Sequence, residues 1–290
     1  MSANRVLFDE PGPKALRRIR IATVVSVLVV AFVVYLAVNR FAANGQLTAA
    51  KWNPFLKKGI PTFLWHGLRE TLKVTAVSAV VAFPLGALFA LLRLSANRLL
   101  SRLATVYIEI FRSTPLLLLV YLFVLALPPL GLNFPPFWMV VIPIVLCNVA
   151  VLAEIFRAGI RALPTGQSEA AAAVGLSSRQ AMRFVILPQA IRIIIPSLVT
   201  QLVSLLKDST LGYAASYPEL MKTATNLTAR YHNFIQTYLV IAVIFVLINM
   251  LLSYLARVLD RRLSRSRAAG SKLEPGAVAL PMGSAQGLGI

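Results

Sequence analysis

Residues 153–188 read AEIFRAGIRALPTGQSEAAAAVGLSSRQAMRFVILP, and they separate two strongly apolar segments of the chain. Within this stretch, the consecutive alanines at 170–173 favour a helix without adding bulk. Glu169 near the start of that helix suits the helix dipole, and Gly175 is placed to end it. The pattern predicts a short helix of small residues over 167–174.

A second short helix is predicted after the glycine. Ser177 and Gln180 have the spacing of a capping box, which predicts a helix over 178–185, and Pro188 is placed to end the motif. Two short helices joined at a glycine form a compact knuckle, and small side chains allow such a knuckle to approach another protein closely. The alternative interpretation is an amphipathic loop that lies on the lipid headgroups.

The composition is that of an integral membrane protein. Of the 290 residues, 58% are hydrophobic and only 13% are charged, a combination that is rare in soluble domains. Apolar runs of roughly 20 residues predict transmembrane helices. The sequence therefore predicts an all-α membrane bundle, with six spans at residues 21–38, 67–92, 113–127, 137–159, 186–206 and 234–256.

The distribution of charge predicts the orientation. The chain has 29 basic and 10 acidic residues, a balance that can indicate nucleic-acid binding. Here, however, the basic residues cluster just outside the apolar runs, which is the pattern of the positive-inside rule. Most of them lie on one side if the N-terminus is cytoplasmic, and residues 153–188 then face the cytoplasm too. We expect a multi-pass membrane protein with both termini inside, in contact with lipid and without nucleic acid.

The first apolar run has two interpretations. Residues 21–38 follow a basic segment, as the apolar region of a signal peptide does. That region is usually shorter than this run, so the sequence favours a retained first span.

Several motifs resemble one known family. The order EAA, three residues, glycine and then LPQA over 169–190 resembles the coupling loop of importer-type ABC permeases, specifically those of the polar amino acid uptake branch. Three further stretches match that branch: GLRETLKVT (67–75), YIEIFRSTPLL (107–117) and LKDSTLGYAASYPEL (206–220). In the last one, Ser209 and Thr210 stand in the reverse of the commoner order. The N-terminal VLFDEPGPKALRR (6–18) is similar to glutamate-uptake permeases of high-GC Gram-positive bacteria.

The resemblance implies a bacterial cell-membrane location, a division of the chain and a set of partners. A five-helix permease core with one extra N-terminal helix is implied, driven by a dimer of cytoplasmic ATP-binding subunits and served by an extracellular substrate-binding protein. A second permease chain, related rather than identical, would complete the pore, and the cargo would be a polar amino acid such as glutamate. The segments are a cytoplasmic N-terminal segment (1–20), the extra helix (21–38), an external loop (39–66), the permease domain (67–262) with its coupling loop (160–187), and a disordered cytoplasmic tail (263–290). The residues expected to couple to the ATPase are Gly166, Glu169, Ala170, Ala171 and Gly175.

The sequence lacks the motifs of an enzyme. No P-loop and no HExxH motif occurs, and the two histidines, His66 and His232, have no acidic or cysteine neighbours at metal-binding spacing. Cys147 is the only cysteine, so no disulfide framework is available. We expect no catalytic residue, no metal and no cofactor, with ATP hydrolysed by a partner subunit.

Charged residues near the ends of the spans are candidates for the substrate pathway. Such groups are costly in a membrane and are often functional. Arg112 or Arg157 could face the carboxylate of an amino acid and Glu154 its ammonium group. The other interpretation is an ion pair that fixes helix register, or arginines that reach the interface. The full set of candidates is Arg112, Thr114, Glu154, Arg157, Lys207 and Asp208.

Two other classes of membrane protein were weighed. An ion-coupled secondary carrier would also explain Glu154 and Arg157 inside the membrane, but such carriers usually contain inverted repeats, and no motif of this chain recurs. A channel or scaffold would leave the coupling loop unexplained.

Overall fold

Helices make up nearly all of residues 12–271, the part of the chain that this computed structural model describes, and no strand occurs there. The all-α class predicted from the sequence is confirmed. The α-helices within these residues are α1 (Pro13–Ala43), α2 (Ala49–Trp52), α3 (Ile60–Arg93), α4 (Arg98–Ser113), α5 (Leu116–Tyr121), α6 (Pro136–Arg161), α7 (Gly166–Ala173), α8 (Ser178–Ala181), α9 (Leu187–Asp208), α10 (Leu220–Tyr231) and α11 (Phe234–Ser271).

Five straight segments of this part of the chain are long and apolar enough to cross a membrane. They are Pro13–Ala43, Ile60–Arg93, Pro136–Arg161, Ser178–Ala215 and Phe234–Leu255. A sixth span forms if α4 and the segment Leu116–Ala126 count together, although they are bent by 96°. Five of the six predicted apolar runs therefore coincide with straight helical segments.

The third predicted span differs in the structure. Residues 93–112 lie between the second and third predicted spans, but most of them form α4. Its N-terminus is capped by Asn97 Oδ1, which accepts from the amides of Leu99 and Leu100 at 2.9 and 3.3 Å. Because α4 is amphipathic, its sequence resembles a polar connector, although Ala104 and Ile108 are buried in the bundle. Pro115 follows the end of α4 and has no amide hydrogen with which to continue the helix. The chain changes direction there, so the span is bent.

The described residues fall into two compact units. The larger unit comprises 63–226 with 240–271, and the smaller comprises 12–62 with 227–239.

Helix α6 is the centre of the larger unit. It packs against α4, α5, α9 and the 3₁₀ turn Ser209–Ala215. Ile144 and Leu152 are fully buried in the core around it. Gly86 of α3 lets that helix approach closely, since a Cβ there would lie 2.5 Å from the Cβ of Leu152. The close packing gives α6 fixed neighbours on several sides.

The smaller unit contains α1 and the segment that follows it. None of the residues of α1 is buried. Residues 39–66 were predicted as one loop, but α1 continues to Ala43 and α3 begins at Ile60, while α2 and a 3₁₀ turn at Asn53–Leu56 occupy much of the interval. The loop is shorter than predicted because apolar residues on both sides of it extend α1 and α3 beyond the predicted runs 21–38 and 67–92.

The two ends of the chain lie partly outside the described residues. Residues 1–11 of the predicted cytoplasmic segment and residues 272–290 of the predicted tail are outside them. Helix α11 ends at Ser271, so its last residues lie within the stretch where the tail was predicted to begin.

Candidate functional site

The predicted knuckle is present as α7, α8 and the glycine between them. Gly175 has φ +79°, which a residue with a side chain rarely adopts. Its amide donates to Ala172 O at 2.9 Å, and the amide of Leu176 donates to Ala171 O at 3.1 Å. These two bonds are a Schellman motif, so the glycine ends α7 as the sequence predicted.

The capping box at the start of α8 is also present. The Ser177 amide donates to Gln180 Oε1 at 2.9 Å, and the Gln180 amide donates to Ser177 Oγ at 3.4 Å. The predicted end of this helix is wrong, since α8 passes through a π-helical turn at Met182–Ile186 directly into α9. Pro188 lies in the first turn of α9, directly after the π-helical turn, and does not end the helix. The knuckle is therefore continuous with a long apolar helix.

Most of the predicted coupling residues are at the surface. Gly166, Glu169, Ala170 and Gly175 are exposed, whereas Ala171 is buried and holds α7 in place. Two apolar side chains that the sequence interpretation did not single out, Val174 and Phe184, are also exposed beside them. Their signal was an apolar residue within an otherwise polar loop. Exposed apolar side chains beside small residues, which allow close approach, suit a protein partner.

A side-chain hydrogen bond also joins the knuckle to the bundle. Gln189 Nε2 of α9 donates to Gln167 Oε1 of α7 at 2.9 Å. Both covalent continuity and this bond link the position of α7 to that of α9.

A charge cluster lies at the end of the bundle near the knuckle. Glu154 of α6 pairs with Arg157 at 2.6 Å, with Arg112 of α4 at 3.9 Å and with Arg93 of α3. Arg93 also pairs with Glu109 at 3.1 Å. The structure thus brings together the predicted Arg112, Glu154 and Arg157, and adds Arg93 and Glu109, which the sequence interpretation missed.

The charge cluster contains more positive than negative charge. Three guanidinium groups from α3, α4 and α6 surround Glu154, and Glu109 provides the other carboxylate. Arg112 has the longest contact and the most exposed side chain of the three arginines, at 45%. Its guanidinium therefore has free donors for a further anion.

A cavity opens beside the charge cluster, between α6 and α9. Its volume is about 500 Å³, and Arg112 and Glu154 provide its charged lining. Ser197 of α9 adds a hydroxyl, and the rest of the lining is apolar or small. Such a cavity has room for an amino acid. In residues 12–271, no group of three or more His, Cys, Asp or Glu side chains could hold a metal ion.

The remaining predicted pathway residues lie elsewhere. Thr114 uses its hydroxyl to donate to Ile110 O at 2.8 Å, at the bend after α4. Asp208 accepts from Asn148 Nδ2 at 3.0 Å, and Lys207 is exposed. No ion pair joins Lys207 to Asp208 in the described residues. Since Asn148 precedes Glu154 by about 9 Å along α6, Asp208 is separate from the charge cluster.

The opposite end of the larger unit holds carboxyl groups that the sequence interpretation missed. The Tyr217 hydroxyl donates to Glu70 of α3. Glu219 is fully buried and caps α10 by accepting from the amides of Met221 and Lys222 at 2.6 and 2.7 Å. Its signal was its place immediately before an amphipathic helix, where a capping side chain is common.

Burial changes the titration of these groups. It raises the pKa of Glu219 to about 7, against the two backbone hydrogen bonds that lower it. It also raises the pKa of Tyr217, and the adjacent Glu70 carboxylate raises it further. This end therefore has a carboxyl group that titrates near neutral pH.

Comparison with known proteins identifies the family. The family model described as "Binding-protein-dependent transport system inner membrane component" matches residues 82–265. A glutamate transport system permease protein of Corynebacterium glutamicum is 37% identical over 234 residues, which cover 78% of this chain and 85% of that protein. An arginine transport system permease protein of Bacillus subtilis is 32% identical over 202 residues, 69% of this chain and 92% of that protein.

A solved structure supports the same relationship. A chain of an amino acid ABC transporter crystallised with histidines is 33% identical, has a TM-score of 0.67, and is matched over 94% of its length by 70% of this chain. The relatives are permease components of transport systems, so this chain is a transport component and not an enzyme. The chain belongs to the family of binding-protein-dependent transport system inner membrane components.

Proposed function

We propose that this chain is the translocating subunit of an ATP-driven importer for amino acids, with glutamate or a closely related amino acid as its cargo. The names of the relatives, which refer to glutamate, glutamine and arginine, support an amino acid as cargo. Glutamate is favoured because the 37%-identical relative is a glutamate permease and is matched over more of this chain than the others.

The observation that carries the proposal is the knuckle. Its exposed face, with Glu169 and Val174, docks on a cytoplasmic ATP-binding subunit. Closure of the ATP-binding dimer displaces α7 and α8, and the displacement passes through the π-helical turn and the Gln167–Gln189 bond to α9. Because α9 packs on α6, the movement reaches the charge cluster and the cavity.

The remaining partners follow from this role. A second permease chain completes the pathway, and an extracellular binding protein delivers the amino acid. Docking on a cytoplasmic ATPase requires the knuckle to face the cytoplasm, as does the positive-inside distribution of the basic residues. With six spans, both termini lie on that same side.

The charge cluster has a role at the cytoplasmic end of the pathway. Arg112 lines the cavity and retains free donors, so it receives the carboxylate of an amino acid on its way out. Glu154 and Arg157 hold Arg112 in position, and their pairs are exchanged as α6 and α9 move.

Transport by reconstituted protein tests the proposal. The chain, its ATP-binding subunit and its permease partner are placed in vesicles with the binding protein outside, and uptake of labelled glutamate is followed. We expect uptake to require ATP and to persist in the presence of a protonophore. Glu169→Lys should abolish it, whereas Asp260→Lys, the matched charge reversal in α11, should not. Uptake driven by an ion gradient without ATP would contradict the proposal and favour a secondary carrier.

Competition then tests the cargo. Excess unlabelled glutamate should suppress uptake more strongly than equal glutamine or arginine. Equal suppression by arginine would remove the support for an acidic amino acid while leaving the importer function intact.

A further inference from the structure

The smaller unit has an unusual charge balance. Residues 12–62 and 227–239 contain no aspartate and no glutamate. At the end of the unit where α1 finishes, they contain five cations instead. These are Arg40, Lys51, Lys57, Lys58 and Arg230. The described residues of this unit offer these cations no carboxylate, so an anion from outside them can bind there.

The segment between α1 and α3 is fixed by hydrogen bonds to the start of α11. Gln236 Nε2 donates to Gln46 O at 2.6 Å, and Lys51 Nζ donates to His232 O at 3.0 Å. His232 has φ 50°, an unfavourable conformation that the lysine contact helps to hold. These bonds make residues 44–59 a built cap rather than a free loop.

The cap lies at the depth of the lipid headgroups. It directly follows α1, which is apolar over a full span, and it is bound to the first residues of α11, where another span begins. Two of its apolar side chains are exposed, since Leu56 is 85% and Leu47 50% accessible. Exposed leucines beside Trp52 and lysines are typical of a segment in the membrane interface.

Two of the cations converge on one aromatic ring. Lys57 Nζ lies 5.2 Å and Arg230 Cζ 5.6 Å from the centre of the Tyr231 ring. The ring attracts both cations without neutralising them. Lys58 follows Lys57 directly, and all three side chains are exposed. The three cations form a site with net positive charge and free donors.

We propose that Lys57, Lys58 and Arg230 bind the headgroup phosphate of an anionic phospholipid, while Leu47, Leu56 and Trp52 of the cap contact its acyl chains. The chemistry is charge-assisted hydrogen bonding from ammonium and guanidinium groups to phosphate oxygens. A lipid is favoured over an acidic protein surface because exposed leucines accompany the cations at headgroup depth. The proposal does not depend on the cargo or on ATP coupling.

Tryptophan quenching by brominated lipids tests this site. The full-length chain with Trp65→Phe and Trp138→Phe retains Trp52 as its one tryptophan, because the sequence has three. It is reconstituted with phosphatidylcholine and titrated with brominated phosphatidylglycerol or with brominated phosphatidylcholine. Each cation near an anionic lipid strengthens binding about fivefold, so we expect a preference for phosphatidylglycerol on the order of 100-fold.

Matched variants locate the site. Lys57→Gln, Lys58→Gln and Arg230→Gln together should reduce the preference to nearly one, and arginine at the two lysine positions should keep it. Lys14→Gln, Arg17→Gln and Arg18→Gln remove three cations from the other end of α1 and should leave the quenching of Trp52 unchanged.

Three results would overturn the proposal. The first is equal quenching of Trp52 by the two lipids in the starting protein. The second is a preference that survives the triple glutamine change. The third combines two observations: Trp52 shows no lipid preference, and the extracellular binding protein binds in a salt-sensitive way that the triple glutamine change abolishes. That result would assign the cations to a protein partner.

Discussion

Glu154 and Glu219 lie at opposite ends of the larger unit, and both side chains are largely shielded from solvent. Their carboxyl groups are stabilised by different kinds of contact. Glu154 is surrounded by three guanidinium groups from three helices. Glu219 is fully buried, and the backbone amides of Met221 and Lys222 donate to its carboxylate. Ion pairs between helices can exchange partners when the helices move, whereas a helix cap is local and fixed. From this difference we expect the charge cluster to rearrange during transport and the cap of α10 to stay in place.

The largest expected effect is that of removing Glu154. Glu154→Ala leaves three arginines next to each other without their shared carboxylate. The cluster is partly buried, with 18% of the Glu154 side chain exposed, so the loss costs up to about 3–5 kcal/mol, the range for a fully buried pair. Glu109→Ala is the matched control, because that carboxylate is 57% exposed and its pair with Arg93 contributes at most about 1 kcal/mol. Unfolding in denaturant measures both, and equal losses would contradict a central role for Glu154.

The next effect is a dependence of stability on pH that Glu219 produces. Its pKa is about 7 in the folded chain against an ordinary value of 4.5, so the folded state binds the proton more tightly. The stabilisation is complete below pH 4.5 and is lost as the pH rises to 7, by about 3 kcal/mol in total. Thermal unfolding between pH 5 and 8 should show this fall, and Glu219→Gln should flatten it. An unchanged slope in the variant would assign the dependence to another group.

Tyr217→Phe, at the same end of the unit as the cap of α10, should have a smaller effect. It removes the hydroxyl that donates to Glu70 and leaves that carboxylate with fewer partners, which costs about 1–3 kcal/mol. Tyr254→Phe, at an exposed tyrosine of α11, is the control and should change the unfolding free energy by less than about 0.5 kcal/mol. We expect transport by the folded fraction of Tyr217→Phe to stay normal, and a selective loss of transport would contradict a purely structural role.

The smallest effect on stability, with a large effect on transport, is expected for Arg112→Gln. Its side chain is 45% exposed and its contact with Glu154 is 3.9 Å long, so its pair contributes at most about 1 kcal/mol. Uptake should fall strongly because the cavity loses its free guanidinium. Arg102→Gln, at an exposed position of the same helix that does not line the cavity, is the matched control. Equal uptake by the two variants would remove Arg112 from the pathway.

The sequence predicted best those features that depend on neighbouring residues. The glycine that ends α7 and the capping box of α8 are each formed within a few positions, so their residue types were sufficient. The meeting of Arg112, Glu154 and Arg157 was also predictable, because charges at the ends of apolar runs require partners.

Features that depend on distant residues were missed. Helix α4 has too many polar residues for an apolar run, and only its packing on α6 shows that it belongs to the bundle. The burial of Glu219 depends on Gly212, where a Cβ would lie 2.7 Å from the Glu219 side chain, and on the fold of the whole segment before α10. Arg93 pairs with Glu154, which is 61 positions away in the sequence, so no local sequence pattern could predict the contact.

The most direct test of the account is the affinity of the ATP-binding subunit for the purified chain in lipid nanodiscs. The account predicts that Glu169→Lys weakens binding by at least about tenfold, which corresponds to about 1.4 kcal/mol, because the change reverses a charge on the docking face. Asp260→Lys should bind like the unaltered chain. Equal affinity of all three proteins would show that the knuckle is not where the ATPase docks, and would contradict the central claim.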